Sequence, residues 1–352
     1  MLLARYPLPE IPALAAAEKW KPTGVALPFG DVVLGVFGAR TTATSGVRWA
    51  PGPEPRVRAY PDTGFGDSSD VGRREKAGDF DASSDVYSRL LATRPHQLLA
   101  VEGKLWLVRD NGHARLDAET LEIVPVVRSQ VKWLGALPDG DVLAGSGAEY
   151  SGVVEFQRMQ RCPAALIDQP IFRTRTGLSK NPDWVVLGQS FPAGAAASAL
   201  VDGVRKASGG QSSYFHAAGA AVAGGELIVS GGDMVRSGTS RPALAALDLG
   251  KAEVTRWARL PNDEERLLPI VTAGALLGVE AKQLVRIDAA SLSIVDRATL
   301  PTGVRIIGHD AKRLLAIHKR SKSLLVLDAA AFAGELAGAV AGIAAGTGKA
   351  KG

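Results

Sequence analysis

The feature that most constrains this chain is a short apolar strand ending in aspartate that returns along its length. It reads "HARLD" (113–117), "ALID" (165–168), "ALVD" (199–202), "LAALD" (244–248), "LVRID" (284–288) and "LLVLD" (324–328), with "VRAYPD" (57–62) as a looser first copy. The aspartates fall at 62, 117, 168, 202, 248, 288 and 328, so successive intervals are 55, 51, 34, 46, 40 and 40 residues. A period of this size is that of a supersecondary unit unable to bury its faces alone, stacked beside copies of itself.

A second pattern precedes many of these aspartates. "LPFGDVVLGVFG" (27–38), "VEGKLWLVRD" (101–110), "LPDGDVLAGSG" (137–147) and "VAGGELIVSGG" (222–232) each read as strand, glycine-containing turn, strand. Glycine supplies the positive φ that tight hairpin turns require. After the aspartate comes a polar turn and one more strand, fullest in "DAETLEIVPVV", "DLGKAEVTRWARLP" and "DAASLSIVDRATLP". The unit is thus a meander of strands A, B, C and D, with the aspartate after C. Its carboxylate accepts bonds from backbone N–H groups of the next turn, a structural role expected of Asp117, Asp168, Asp248, Asp288 and Asp328.

Seven such units predict an all-β, seven-bladed β-propeller over residues 1–330, its blades packed radially. "QLLAVE", "LLPIVTAG" and "GAAVAGG" are small and apolar, as strands lining a crowded centre should be. After "LLVLD" the chain gives "AAAFAGELAGAVAG", helix-forming residues where the last strand D belongs. "LLARYPLP" (2–9) has the pattern and ending of that missing strand. The N-terminal strand is therefore expected to pair with the last blade, which removes two exposed sheet edges. Residues 331–352 read as an Ala/Gly-rich helical and basic tail. Phe332, Leu336, Val340 and Ile343 share one helical face, a docking face for the propeller or for a partner.

Residues 63–86 form a polar insertion. Asp79 and Asp81 have the opening interval of a calcium loop, but no glycine or distal glutamate follows, so a solvated loop is expected. In a meander, B–C and D–A loops share one rim. The long irregular pieces, 39–47, 146–164, 189–198 and 233–241, are B–C loops on that rim, where binding on rigid scaffolds usually resides. Residues just before strand A stand at the same channel mouth: Arg94, His96, Trp133, Trp184, Tyr214, His216 and Arg266. Aromatic and arginine side chains are the usual anchors of interfaces, while Trp133 and Trp184 also suit packing between blades.

No chemistry-bearing motif emerges. His96, His113, His216, His309 and His318 are dispersed, without metal-ligand spacing. "GQS" and "GSG" lack the strand–elbow–helix setting of a serine nucleophile, and "GTGK" in the tail lacks the rest of a phosphate loop. No catalytic residue, metal or cofactor is assigned. The 41 Lys and Arg against 36 Asp and Glu are scattered and aromatics are only 6%, which argues against a nucleic-acid groove. The only cysteine, Cys162, allows no intrachain disulfide and fits a reducing compartment. Arg5, Pro7, Pro9 and Glu10 interrupt any secretory apolar run and no stretch reaches membrane-span length, so a cytoplasmic protein with no membrane contact is expected.

Residues 220–261, with the diglycine Gly231–Gly232 ending strand B and Trp257 in strand D, resemble one Kelch repeat, in which such residues pack within and between blades. In general style the chain also resembles the propeller components of bacterial AAA+ ATPase and von Willebrand A ternary systems. The expected function is a non-catalytic protein–protein interaction scaffold presenting its loop-rich rim to a protein partner. The alternatives are a hydrolase or lyase using His96, His216, Arg94 or Arg266 at the channel mouth, and a carbohydrate- or small-ligand-binding module.

Overall fold

The computed structural model describes residues 1–10, 23–39, 42–50, 54–59, 95–109, 112–128, 131–150, 153–162, 173–174, 177–178, 203–210, 212–235, 240–251, 253–261, 267–280 and 282–347. Its first strand, β1 (Leu2–Pro7), belongs to the last sheet. The first blade holds β2 (Thr23–Phe29), β3 (Val32–Ala39), β4 (Thr42–Trp49) and β5 (Arg56–Ala59). The second holds β6 (Pro95–Val101), β7 (Lys104–Arg109), β8 (Gly112–Leu116) and β9 (Ile123–Arg128). A three-stranded sheet of β10 (Val131–Ala136), β11 (Val142–Tyr150) and β12 (Val153–Cys162) follows, then a short ladder of β13 (Arg173–Thr174) and β14 (Gly177–Leu178). The third blade holds β15 (Ser212–Ala223), β16 (Glu226–Val235), β17 (Ser240–Asp248) and β18 (Glu253–Arg259). The fourth holds β19 (Leu268–Thr272), β20 (Ala275–Val279), β21 (Gln283–Ile287) and β22 (Ile294–Thr299). The closing blade is β23 (Val304–His309), β24 (Arg313–His318) and β25 (Ser323–Asp328), completed by β1.

The protein is therefore an all-β propeller with a short C-terminal helical segment. The expected seven blades are corrected to five four-stranded blades among the described residues, with the three-stranded sheet between the second and third. One of the counted aspartates misleads for an identifiable reason. "VRAYPD" supplies β5, which is strand D, and not strand C. The "ALID" and "ALVD" copies lie outside the described residues.

Every meander is antiparallel, and first strands of successive sheets lie side by side at β2–β6, β6–β10, β10–β15, β15–β19 and β23–β2. The seams are apolar. Leu27, Leu34 and Val36 meet Leu98, Leu105 and Leu107 between the first and second blades. Ile228, Leu244 and Ala246 meet Leu276, Val285 and Ile287 between the third and fourth. Polar clamps add to them. The Gln97 side chain donates to the Leu134 carbonyl at 2.6 Å and accepts from the Leu134 N–H at 2.9 Å, joining β6 to β10. Thr272 Oγ1 donates to the Asp310 carbonyl at 2.6 Å, joining the fourth and closing blades.

The recurrent aspartates do what their position requires. Asp117 Oδ1 accepts from the N–H groups of Glu119 and Thr120 at 2.9 and 2.7 Å. Asp248 accepts from Gly250 and Lys251, Asp288 from Ser291, and Asp328 from Ala330. Asp168 lies outside the described residues. The same turns hold Leu121 and Leu292 at φ 59° and 57°, a left-handed conformation unusual for leucine. Both side chains are fully buried, and their N–H groups donate back to Asp117 and Asp288 carbonyls at 3.0 and 2.8 Å.

Closure of the ring is visible in the register: Ala4, Arg5, Tyr6 and Pro7 pair with Val326, Leu325, Leu324 and Ser323. Alternation along β1 turns Ala4 and Tyr6 inward, where with Leu8 they pack on Ala26, Phe37, Val47, Trp49, Ile307, Leu315 and Val326. The Trp49 indole N–H donates to the Pro7 carbonyl at 3.0 Å, and Phe37 meets Trp49 edge-on with centroids 6.0 Å apart.

The tail forms α1 (Ala330–Ala333) and α2 (Leu336–Thr347). Of the two occupants expected for its apolar face, the propeller is the one observed, which leaves that face unavailable to a partner. Phe332, Leu336, Val340 and Ile343 are all buried in the core shared by the fourth and closing blades. The Leu336 N–H donates to Asp296 Oδ2 of β22 at 3.0 Å, fixing the start of α2. Burying that face against its own blades is the nearest way to remove it from water. No helix among the described residues is long and apolar enough to cross a membrane.

Candidate functional site: the rim of the B–C turns

The two rims differ. On one, the A–B turns are tight, and the C–D turns after β8, β17 and β21 are tied by Asp117, Asp248 and Asp288. Cations there are matched by acids: Arg48 with Glu119 at 2.8 Å, Arg58 with Glu122 at 3.1 Å, Arg313 with Asp310 at 2.7 Å, and Arg256 with Glu226. Arg256 and Thr255 bond Glu226 and hold its carboxyl below the usual range.

The opposite rim carries the B–C turns, and here the strands overrun their sheets. β10 ends its pairing at Val131 with Ser146, while β11 and β12 continue as a hairpin through Gly147–Phe156 to Tyr150–Val153. In the third blade β18 stops at Arg259 opposite Ala243. Beyond that point β17 continues to Ser240 against Met234, and β15 to Ser212 against Val235. The described residues of the stretches 146–164 and 233–241, expected as irregular loops, are thus ladder. Their Ser- and Gly-rich composition suggested loops, but cross-strand pairing decides strand formation. Because β12 neighbours β15, the two extensions stand side by side as a raised wall.

Of the residues expected at this mouth, His96 lies near the start of β6, and Tyr214 and His216 lie in the extended part of β15, paired with Met234 and Gly232. All three belong to this rim. Trp133 is half-buried and packs on the cluster of Leu137, Leu143, Val204 and Phe215. Its indole would collide with a Cβ on Gly135, at 2.8 Å from Cζ2. Arg94, Trp184 and Arg266 lie outside the described residues, as do the 63–86 insertion and the 189–198 stretch.

Beside the wall, the fourth and closing blades end low. The turn Glu280–Gln283 and the turn Lys319–Lys322 are closed by bonds of 3.0 and 3.3 Å. Lys282, Lys319, Arg320 and Lys322 are exposed in them. The sequence signal for this floor is "HKRSKS" (318–323), which a reading of scattered charge passed over. Backbone bonds hold the cations on one edge: Leu300 N–H donates to the Lys282 carbonyl at 2.8 Å, Lys319 N–H to Gly303 at 3.0 Å, and Leu8 N–H to Lys322 at 2.8 Å. A side-chain chain anchors the turn. His318 Nδ1 lies 2.6 Å from Ser321 Oγ, which lies 3.0 Å from Ser323 Oγ, which accepts from Arg5 Nε at 2.8 Å.

Strand β23 runs from the floor through the closing blade. Arg305, its second residue, keeps contact with solvent, while surrounding protein removes part of its hydration and lowers its pKa. At the far end of β23, His309 Nδ1 is buried and has no hydrogen-bond partner among the described residues. Burial pushes the His309 pKa down, partly opposed by Asp310. The folded state thus holds His309 neutral, whereas the unfolded chain protonates it near pH 6.5. Stability should be level above about pH 6.5 and decline as pH falls below it. Urea melts between pH 5 and 7.5 should show that slope, and His309→Gln should flatten it. Asp117 and Asp288, whose turn hydrogen bonds lower their pKa values, lose their contribution only on further acidification.

No protein-family model matches the chain, and no curated protein matches it in sequence. The Kelch and AAA+/von Willebrand A resemblances therefore gain no support; Gly231–Gly232 lie within β16, and Trp257 packs on the seam beside the third blade. Among solved structures the chain is similar to BamB from Moraxella catarrhalis, at 11% identity over 93% of this chain and 98% of that one, with a TM-score of 0.38. It is also similar to PorZ, a bacterial surface component of the type-IX secretion system of Porphyromonas gingivalis, at 11% identity over 92% of this chain and 38% of that one, with a TM-score of 0.39.

Proposed function

We propose that this chain is a non-catalytic protein–protein interaction scaffold whose elaborated rim receives a protein partner. The observation that supports this most is the confinement of strand extension to one rim, where β11–β12 and β15–β17 rise beyond otherwise short blades. Main-chain ladders hold those extensions, so they offer a fixed surface at small ordering cost on binding. The position of His96, Tyr214 and His216 on the same rim supports it further.

The test shortens the wall. Residues 147–157 are replaced by Asn-Gly, a two-residue hairpin turn, so that Ser146 is followed by the turn and then Arg158. Wild-type protein, tagged and recovered from its native host, is expected to retain a stoichiometric protein partner. The shortened variant, with an unchanged melting temperature, is expected to lose it. Absence of any stoichiometric partner, or equal retention by the variant, overturns the reading.

A further inference from the structure

Resting on that scaffold reading, we infer that the floor formed by Lys282, Lys319, Arg320 and Lys322, with Arg5 at its margin, docks an acidic segment of the partner protein. The four floor cations have no ion-pair partner among the described residues, whereas Arg48, Arg58, Arg256 and Arg313 toward the opposite rim are each matched by a carboxylate. Like charges gathered without compensation repel one another and disfavour the compact state. Two adjacent turns that keep them together, pinned by the Lys282–Leu300, Gly303–Lys319 and Leu8–Lys322 backbone bonds, present a preset positive surface. Arg5 commits its Nε to Ser323, which orients the guanidinium. Glu280 is half-buried in the same turn as Lys282, and Glu10 follows β1; they offset only part of the charge.

The occupant follows from the shape of the charge. It is confined to two neighbouring turns and does not run as a stripe, which a nucleic-acid backbone would need. None of the described residues of these turns is aromatic, so there is no stacking platform for bases. A few consecutive Asp or Glu side chains match the extent of the patch, and such complementarity sets specificity and on-rate.

The experiment measures fluorescence anisotropy of a labelled ten-residue Asp/Glu peptide on the full chain, with a ten-nucleotide oligothymidylate as the competing probe. The peptide should bind wild type, weaken about tenfold in the triple variant Lys319→Ala, Arg320→Ala, Lys322→Ala, and weaken about tenfold between 50 and 500 mM salt. The variant Lys251→Ala, Lys312→Ala, on the opposite rim, should bind like wild type. No peptide binding, equal weakening in the opposite-rim variant, or tighter binding of the oligonucleotide overturns the inference. Partner recovery separates the two readings: if the triple variant keeps a stoichiometric partner that the shortened hairpin loses, the scaffold stands and acidic docking falls. Loss of the partner by both variants supports acidic docking, and absence of any partner for wild type overturns the scaffold itself. Charge reversal at Lys282 and Lys319 provides a second variant should the triple one melt early.

Discussion

Removing residues 1–9 should leave a protein that aggregates or melts about 10 °C lower. The deletion strips the outer strand from the closing blade and bares β25 along its whole length, from Ser323 to Leu327. It withdraws Ala4, Tyr6 and Leu8 from the seam between the closing and first blades, and it orphans the Trp49 indole N–H, which donates to Pro7. Lost burial and ladder bonds together are worth on the order of 5 kcal/mol, comparable to the whole stability of many domains. An unpaired edge then offers itself to other chains. Thermal melts and gel filtration decide the matter; a monomeric deletion protein with an unchanged melting temperature would show that the ring does not depend on this strand.

Gly308→Ala should be nearly as damaging although it adds a single methyl group. A Cβ at Gly308 would overlap the carbonyl oxygen of Ala26 and lie 2.6 Å from its carbonyl carbon. The obstacle is backbone, which no rotamer change can move aside. The inner strands β23 and β2 would have to part, opening a seam built from Ala26, Ile307 and Leu315. Overpacking of this kind costs about 3 kcal/mol or more when the neighbour cannot yield. Gly274→Ala is the informative contrast. Gly274 has φ 71° and nothing within 4 Å of its Cβ position, so its cost is conformational and about 1 kcal/mol. Equal midpoints for the two variants in denaturant would contradict the close approach of β23 to β2.

These two predictions also mark what the sequence could and could not disclose. The pairing of residues 2–7 with the last blade was legible, because "LLARYPLP" matches a strand missing elsewhere in the repeat. The turn aspartates were legible because a carboxylate one residue past a strand has a local partner. Blade number was not. A strand ending in Asp marks strand D at "VRAYPD" as readily as strand C at "LLVLD", and only pairing partners tell them apart. The left-handed Leu121 and Leu292 gave no warning, since burial of the side chain overrides the local preference. At the candidate rim, the stretches 146–164 and 233–241 looked like irregular loops, and the basic floor dissolved into an evenly charged composition. His96, Tyr214 and His216, expected just before strand A, lie within β6 and β15, and Trp133 packs at the base of the wall.

Joining residue 2 to residue 327 in one sheet has a consequence for biosynthesis. The ribosome releases the partner of β1 only after more than three hundred further residues, and at about 5–20 residues per second that delay lasts tens of seconds. Throughout it, the nascent chain holds a ready-made N-terminal strand with nowhere native to go. Ring closure is therefore a late event, and factors that shield an idle strand during translation should raise the yield of this protein more than agents that act on the finished fold.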